Sequence, residues 1–182
     1  MTTYIALLRG INVGGKNMID MKQLKAAFAA AGFSDVCTYI NSGNVLFSSN
    51  KDAEAVLAES KRLIYERFGL DIAIVVLTSE ELLELLGHAP DWWGKDPDSR
   101  HNAFFVIAPA TAEGLCAEVG EIKPEYEKCA HYGRLIFWSA PIKTFSRTQW
   151  GKVPSMGAYK KITVRNSNTV HKLLELSEAM KL

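Results

Sequence analysis

Long apolar runs are missing from this 182-residue chain, so no segment reads as a membrane span. The opening MTTYIALLRGINVGG lacks a basic n-region and its apolar run stops at Arg9, so it does not read as a signal peptide. Cysteines are few and odd in number: Cys37, Cys116 and Cys129 lack metal-ligand spacing and read as reduced residues of a cytoplasmic protein. The four histidines, His88, His101, His131 and His171, are scattered, and Asp91, Asp96, Asp98 and His101 lack the spacing of a calcium loop. No metal site and no cofactor are expected. There is no G-x-S-x-G elbow, so Ser146 and a distant histidine do not make a triad. Cys37 sits in an apolar strand without an evident base, which argues against an activated thiol. A net charge of +1 excludes a generally basic nucleic-acid binder.

What is present is an uneven distribution of charge. Of 21 basic residues, seven fall between Lys143 and Lys172 (Lys143, Arg147, Lys152, Lys160, Lys161, Arg165 and Lys172), a stretch with none of the 20 acidic ones. Arg9 and Lys16 lie in a second acid-free stretch, the first nineteen residues. Such asymmetry marks either an anion site or a solvated face.

Element signals follow a regular order. A strand at 3–8 precedes a helix at 20–31, capped by Asp20 with Gln23 three residues on and closed by Gly32. Strands at 36–40 and 45–48 flank an Asn-Ser-Gly-Asn turn. A helix at 52–68 ends at Gly69, a continuous apolar strand fills 71–77, and Thr78–Glu81 forms a capping box for a short helix. The order recurs: a strand at 102–107, a helix at 111–119, a hairpin of 125–131 and 134–139 across Tyr132-Gly133, a poorly defined helix within 145–159, a strand at 161–165 and a helix at 169–180. Two rounds of β-α-β-β-α-β plus a helix predict an α+β fold of two ferredoxin-like halves with mainly antiparallel sheets. The boundaries expected are 1–88 for the first half, 89–101 for a linker whose Trp92 and Trp93 pack it down, and 102–182 for the second, packed as one compact unit.

GINVGGKN, residues 10–17, stands one residue short of a P-loop, with Asn17 where a Mg²⁺-binding hydroxyl belongs. The helix pattern starts near Asp20 rather than at Lys16, no strand ends in a second metal-binding Asp, and the element order is not that of a parallel sheet. The segment therefore reads as a glycine-rich turn. In a ferredoxin-like half the end of strand one lies beside the start of strand three. Arg9, Asn12, Gly14, Gly15, Lys16 and Asn17 then meet Asn41, Ser42, Gly43 and Asn44 at one sheet edge. Fixed donors and two cations there suit a phosphate or carboxylate; alternatively the glycines serve the turn and the asparagines cap it. In the second half, Lys152, Lys161, Arg165 and Asn166 lead to the N-terminus of the last helix, which favours anions. Phe145, Trp150 and Tyr159 are interleaved with them, a pattern compatible with base stacking.

ALLRGINVGGKN (residues 6–17), TYINSGNVLF (38–47) and TVRNSNTVHKLLEL (163–176) resemble the hallmarks of a bacterial domain-of-unknown-function family, over essentially the whole chain. Residues 92–100 depart from the family's usual form. The resemblance implies an α+β fold with ferredoxin-like parts and transfers no activity. Three function classes stay open: a binding module for a phosphate-bearing ligand, nucleotide or nucleic acid; an enzyme on a small anionic substrate between the halves; and a structural or oligomerisation unit. No membrane partner is expected, and the sequence leaves the oligomeric state open.

Overall fold

The computed structural model describes residues 1–181. The chain divides into two units, Met1–Leu83 with Lys172–Leu182, and Glu84–His171. This division differs from the boundaries read in the sequence: it falls inside two helices, one near the middle of the chain and one at its end.

The first unit begins with β1 (Thr2–Leu8), α1 (Met21–Ala30), β2 (Ser34–Tyr39), β3 (Asn44–Ser49), α2 (Ala53–Phe68) and β4 (Ile74–Thr78). The sheet order is β2-β3-β1-β4, antiparallel at every pair, which is the ferredoxin-like arrangement. Local chemistry sets the ends of its helices. The Asp20 carboxylate accepts from Gln23 N at 3.0 Å and the Asp52 carboxylate from Ala55 N at 2.8 Å, each satisfying an otherwise orphan donor, worth about 1 kcal/mol. Gly69, at φ +67°, closes α2 with its N–H on Tyr65 O. Leu24, Ala27 and Phe28 of α1 and Val56, Leu63 and Ile64 of α2 are buried with one face of the sheet. Phe28, Phe33 and Phe47 form the aromatic centre, with ring centroids 4.5 to 5.6 Å apart. Thr78 Oγ1 accepts from Glu81 N at 3.0 Å and opens α3 (Ser79–Gly87), which crosses the division between the units.

The second unit carries β5 (Ser99–Val106), α4 (Ala112–Val119), β6 (Lys128–Tyr132), β7 (Leu135–Pro141) and β8 (Ile162–Asn166), with sheet order β6-β7-β5-β8. The topology is the same as in the first. β5 starts at Ser99, inside the expected linker. Trp93 is buried there, edge-on to Phe137 at 5.1 Å, with its indole N–H donating to Asn102 O at 3.0 Å; Trp92 is half-buried. The helix expected within 145–159 is corrected to three short 3₁₀ turns, Ile142–Arg147, Trp150–Ser155 and Gly157–Lys161. Gly151, Pro154 and Gly157 interrupt any α-helical ladder in that stretch. Glu127 holds the turns to the sheet. Its buried carboxylate accepts from the N–H groups of Lys123, Gln149 and Trp150 and from Trp138 Nε1 at 2.7 to 3.1 Å. The last helix, α5 (Ser167–Ala179), begins in the second unit and ends in the first, where Ser177 Oγ bonds Ser79 Oγ at 2.9 Å. Among the described residues, no helix is long and apolar enough to cross a membrane.

Candidate functional site

The glycine-rich loop and the β2–β3 turn do meet at one edge of the first sheet. Leu8 N donates to Gly43 O, and Asn12 Nδ2 donates to Asn41 O at 2.9 Å. The polar groups there largely serve the loop itself. Asn12 also donates to Ile19 O at 3.0 Å and accepts from Ile19 N at 2.7 Å. Asn17 Nδ2 donates to Gly10 O; Asn44, fully buried, donates to Tyr39 O and Ser42 Oγ. Asn12, Gly14, Gly15, Asn17 and Gly43 all have φ between +49° and +80°, conformations that favour Asn and Gly. Ile40, at φ +49°, is a strained exception at the same turn. Gly14, Gly15 and Lys16 face solvent, Arg9 is half-buried, and its N–H donates to Ala73 O. The chain from Lys16 to the first helical residue, Met21, is not helical, so Lys16 does not open a helix as a P-loop lysine does.

The basic segment of the second unit is spread out rather than gathered. Lys161 precedes β8 and pairs with Glu118 at 2.7 Å, whereas Asn166 lies at the far end of that strand, roughly 16 Å along it. Lys152 is exposed on a 3₁₀ turn. Arg165 is buried at 6% exposure, donating to Thr163 Oγ1 at 3.1 Å and Val164 O at 2.8 Å. Burial lowers its pKa to about 10 and leaves it little access to solvent. Asn166 is the α5 cap, its Oδ1 accepting from Thr169 N at 2.8 Å. Burial pushes the Cys37 thiol up, the opposite of activation.

Beside Asn166, which was expected from sequence, residues that sequence reasoning left out of the site gather where β5 pairs with the end of β8. A polar cavity of about 590 Å³ is bordered by Lys95, Arg100, Asn102, Asn166 and Asn168, beside the N-terminus of α5. Arg100 lies over the Phe145 ring, 4.4 Å from its centroid, which fixes the guanidinium near the cavity rim. Asn102 also borders an apolar cavity of about 210 Å³ that runs under the 3₁₀ turns and is lined by Phe145, Trp150 and Tyr159. A third cavity, about 310 Å³, shares Lys95, Asp96, Ser99 and His101 with the polar one. Inside it, His101 Nδ1 lies 2.5 Å from Ser139 Oγ and His101 Nε2 2.7 Å from Asp96 O. His101 and Ser139 are register partners on β5 and β7, and Lys128 is the partner of Ser139 on β6, so the three side chains share one face. The Asp96 carboxylate accepts from Ser99 Oγ at 2.6 Å and from Asp98 N at 2.9 Å; these bonds, the first above all, hold its pKa below the usual carboxylate range.

The fold and these cavities define an α+β protein of two ferredoxin-like units, the second of which carries adjoining polar and aromatic hollows at one end of its sheet. The chain belongs to the family described as "Protein of unknown function (DUF1697)", whose model matches residues 1–137. The structure of the conserved bacterial protein SP0830 from Streptococcus pneumoniae is similar to it, at 28% identity over 97% of this chain and 98% of that one, with a TM-score of 0.86. The small subunit of acetolactate synthase from Thermotoga maritima is 12% identical over 91% of this chain and 97% of that one, with a TM-score of 0.25, too low to carry an argument. No curated protein matches the chain in sequence.

Proposed function

We propose that the protein binds a small phosphate-bearing ligand, of nucleotide type, at the α5 end of the second sheet. The observation that carries this reading is that Asn102 borders both a polar cavity lined by Arg100 and Lys95 and an aromatic one. The guanidinium and ammonium supply charge-assisted donors for phosphate oxygens. The side-chain amides of Asn102, Asn166 and Asn168 add neutral donors, and the positive end of the α5 dipole lies beside them. The aromatic cavity suits a planar ring. Of the residues expected from sequence, Asn166 belongs to this site; Arg165, Lys152 and Lys161 stand outside it, and the 10–17 loop is read as a closed turn. A net charge of +1 favours a small ligand over a long nucleic acid. The three free cysteines favour a cytoplasmic location.

Thermal-shift and calorimetric titrations with inorganic phosphate, AMP and ADP, at low and high salt, test the reading. Stabilisation that weakens with salt and falls about 10- to 150-fold in apparent affinity in Arg100→Ala is the expected result, since one charge-assisted bond contributes about 1.5–3 kcal/mol. If no anion shifts the melting curve and Arg100→Ala merely melts lower, the residues around the cavity are structural and the reading is wrong.

A further inference from the structure

The hydrogen-bonded chain from Ser139 through His101 to Asp96 O is not needed to hold an anion. A backbone carbonyl only accepts, so His101 Nε2 carries the proton, and the Nδ1 lone pair faces the Ser139 hydroxyl. That is the tautomer of a general base already oriented from behind and in contact with an alcohol. Ser139 is only 5% exposed, but the 310 Å³ cavity opens onto it. Lys128 flanks it on the side opposite His101, in the same cross-strand row. Trp92 and Pro141 add apolar wall. A base, a nucleophile, a cation and a hollow for a substrate therefore occur together.

We propose that Ser139 is a nucleophile, His101 its general base and Lys128 the cation that stabilises the developing oxyanion, in a site that hydrolyses a carboxylic ester bearing an anionic group. Ser139 Oγ bonds to the acyl carbon while its proton passes to His101 Nδ1. The ester C–O bond then breaks, and the alcohol leaves with that proton. Water, deprotonated by the same nitrogen, attacks the acyl-serine and releases the carboxylic acid, and Ser139 regains its proton. The anionic group of the substrate rests on the reading of the adjoining cavity given above; the serine–histidine chemistry does not.

The test uses the full chain, an alkyl fluorophosphonate and p-nitrophenyl acetate. With the fluorophosphonate, an O–P bond forms at the nucleophile, fluoride leaves and the proton goes to the base. The expected result is one adduct per chain, mapped to Ser139 by peptide mass spectrometry, and a burst of p-nitrophenol. Ser139→Ala forms no adduct, His101→Gln labels about 100-fold more slowly, and Lys128→Ala slows the burst. Ser155→Ala, whose hydroxyl bonds Lys152 O on a 3₁₀ turn, labels like the parent. No adduct on the parent chain, or an adduct on another residue, overturns the proposal; both are read on the parent, so they stand even where a variant fails to fold. Labelling at Ser139 without any phosphate-induced stabilisation would leave the chemistry standing and remove the anion reading. Phosphate binding without labelling would do the reverse.

Discussion

The two units share one strand order and differ in how the second crossover is closed. In the first, α2 lays Val56, Leu63 and Ile64 on the sheet, and continuous apolar contact does the work. In the second, three 3₁₀ turns are tied down by one buried carboxylate, Glu127, through four donors. A helix covers a sheet face evenly; short turns leave hollows between them, and the aromatic cavity lies beneath these. The polar groups differ as well. In the first unit Asn12, Asn17 and Asn44 are bonded to the backbone of their own loops, whereas in the second Lys95, Arg100 and Lys128 are exposed beside cavities. One topology thus yields a region whose loop polar groups serve their own backbone and a region where cations border a polar hollow beside an aromatic one. The first unit's own hollow, about 320 Å³ between α1 and α2, is bordered by Arg67 and by Arg62, which is already paired with Glu59 and Glu66.

Glu127→Ala is the most damaging change expected. It leaves three backbone N–H groups and an indole N–H without their acceptor, at a cost of about 4 kcal/mol. Chemical denaturation followed by hydrogen exchange should show the second unit opening first, and the response to phosphate should vanish with it. If both units lose protection equally, the carboxylate is not the local tie described.

Gly43→Ala strikes the first unit. Gly43 has φ +80°, and an added Cβ would come within 2.8 Å of Ile11 Cδ1 and 2.9 Å of Leu8 Cβ. Strain and clash together should cost about 2–3 kcal/mol. Hydrogen exchange should locate the loss around β1 and β3, with the phosphate response of the second unit retained. A coupled loss of that response would mean that the ligand site depends on the first unit's loop.

Much of this was legible in the chain. Asp20, Asp52 and Thr111 act as caps at the helix starts read for them, Gly69 ends α2, and the element order gives both sheets. Those signals are local, a few residues long, and backed by periodicity. The candidate site was legible only at Asn166 and in the aromatics Phe145, Trp150 and Tyr159, because the rest is made by register. Ser139 and His101 are 38 residues apart and meet only because β7 pairs with β5 at one register; a shift of one residue would turn them to opposite faces. Arg165 was misleading for a related reason. Its charge and its place before the last helix suggest an exposed donor, and only the fold shows that its side chain is buried. The 145–159 stretch carried its own warning in Gly151, Pro154 and Gly157, and only the fold reveals that a distant glutamate replaces the helix.

Ser60→Ala gives the smallest and most discriminating test, because its sign is opposite to the others. Ser60 lies on the buried face of α2, fully excluded from solvent, and its Oγ has no hydrogen-bond partner among the described residues. A hydroxyl held there loses its bonds to water and gains none in return, and serine is also a poorer helix former than alanine. Removing one oxygen leaves too small a space to create a costly cavity. The variant should therefore be more stable by about 1 kcal/mol, read as a higher denaturation midpoint for α1, α2 and the strands they cover, with hydrogen exchange in β5 to β8 unchanged. A destabilised variant would mean that the hydroxyl has a partner in solution, such as a buried water, and that the first unit is not closed by apolar packing alone. A stabilised one would sharpen the contrast with the second unit, where one of the buried polar groups, Glu127, cannot be removed without opening the unit.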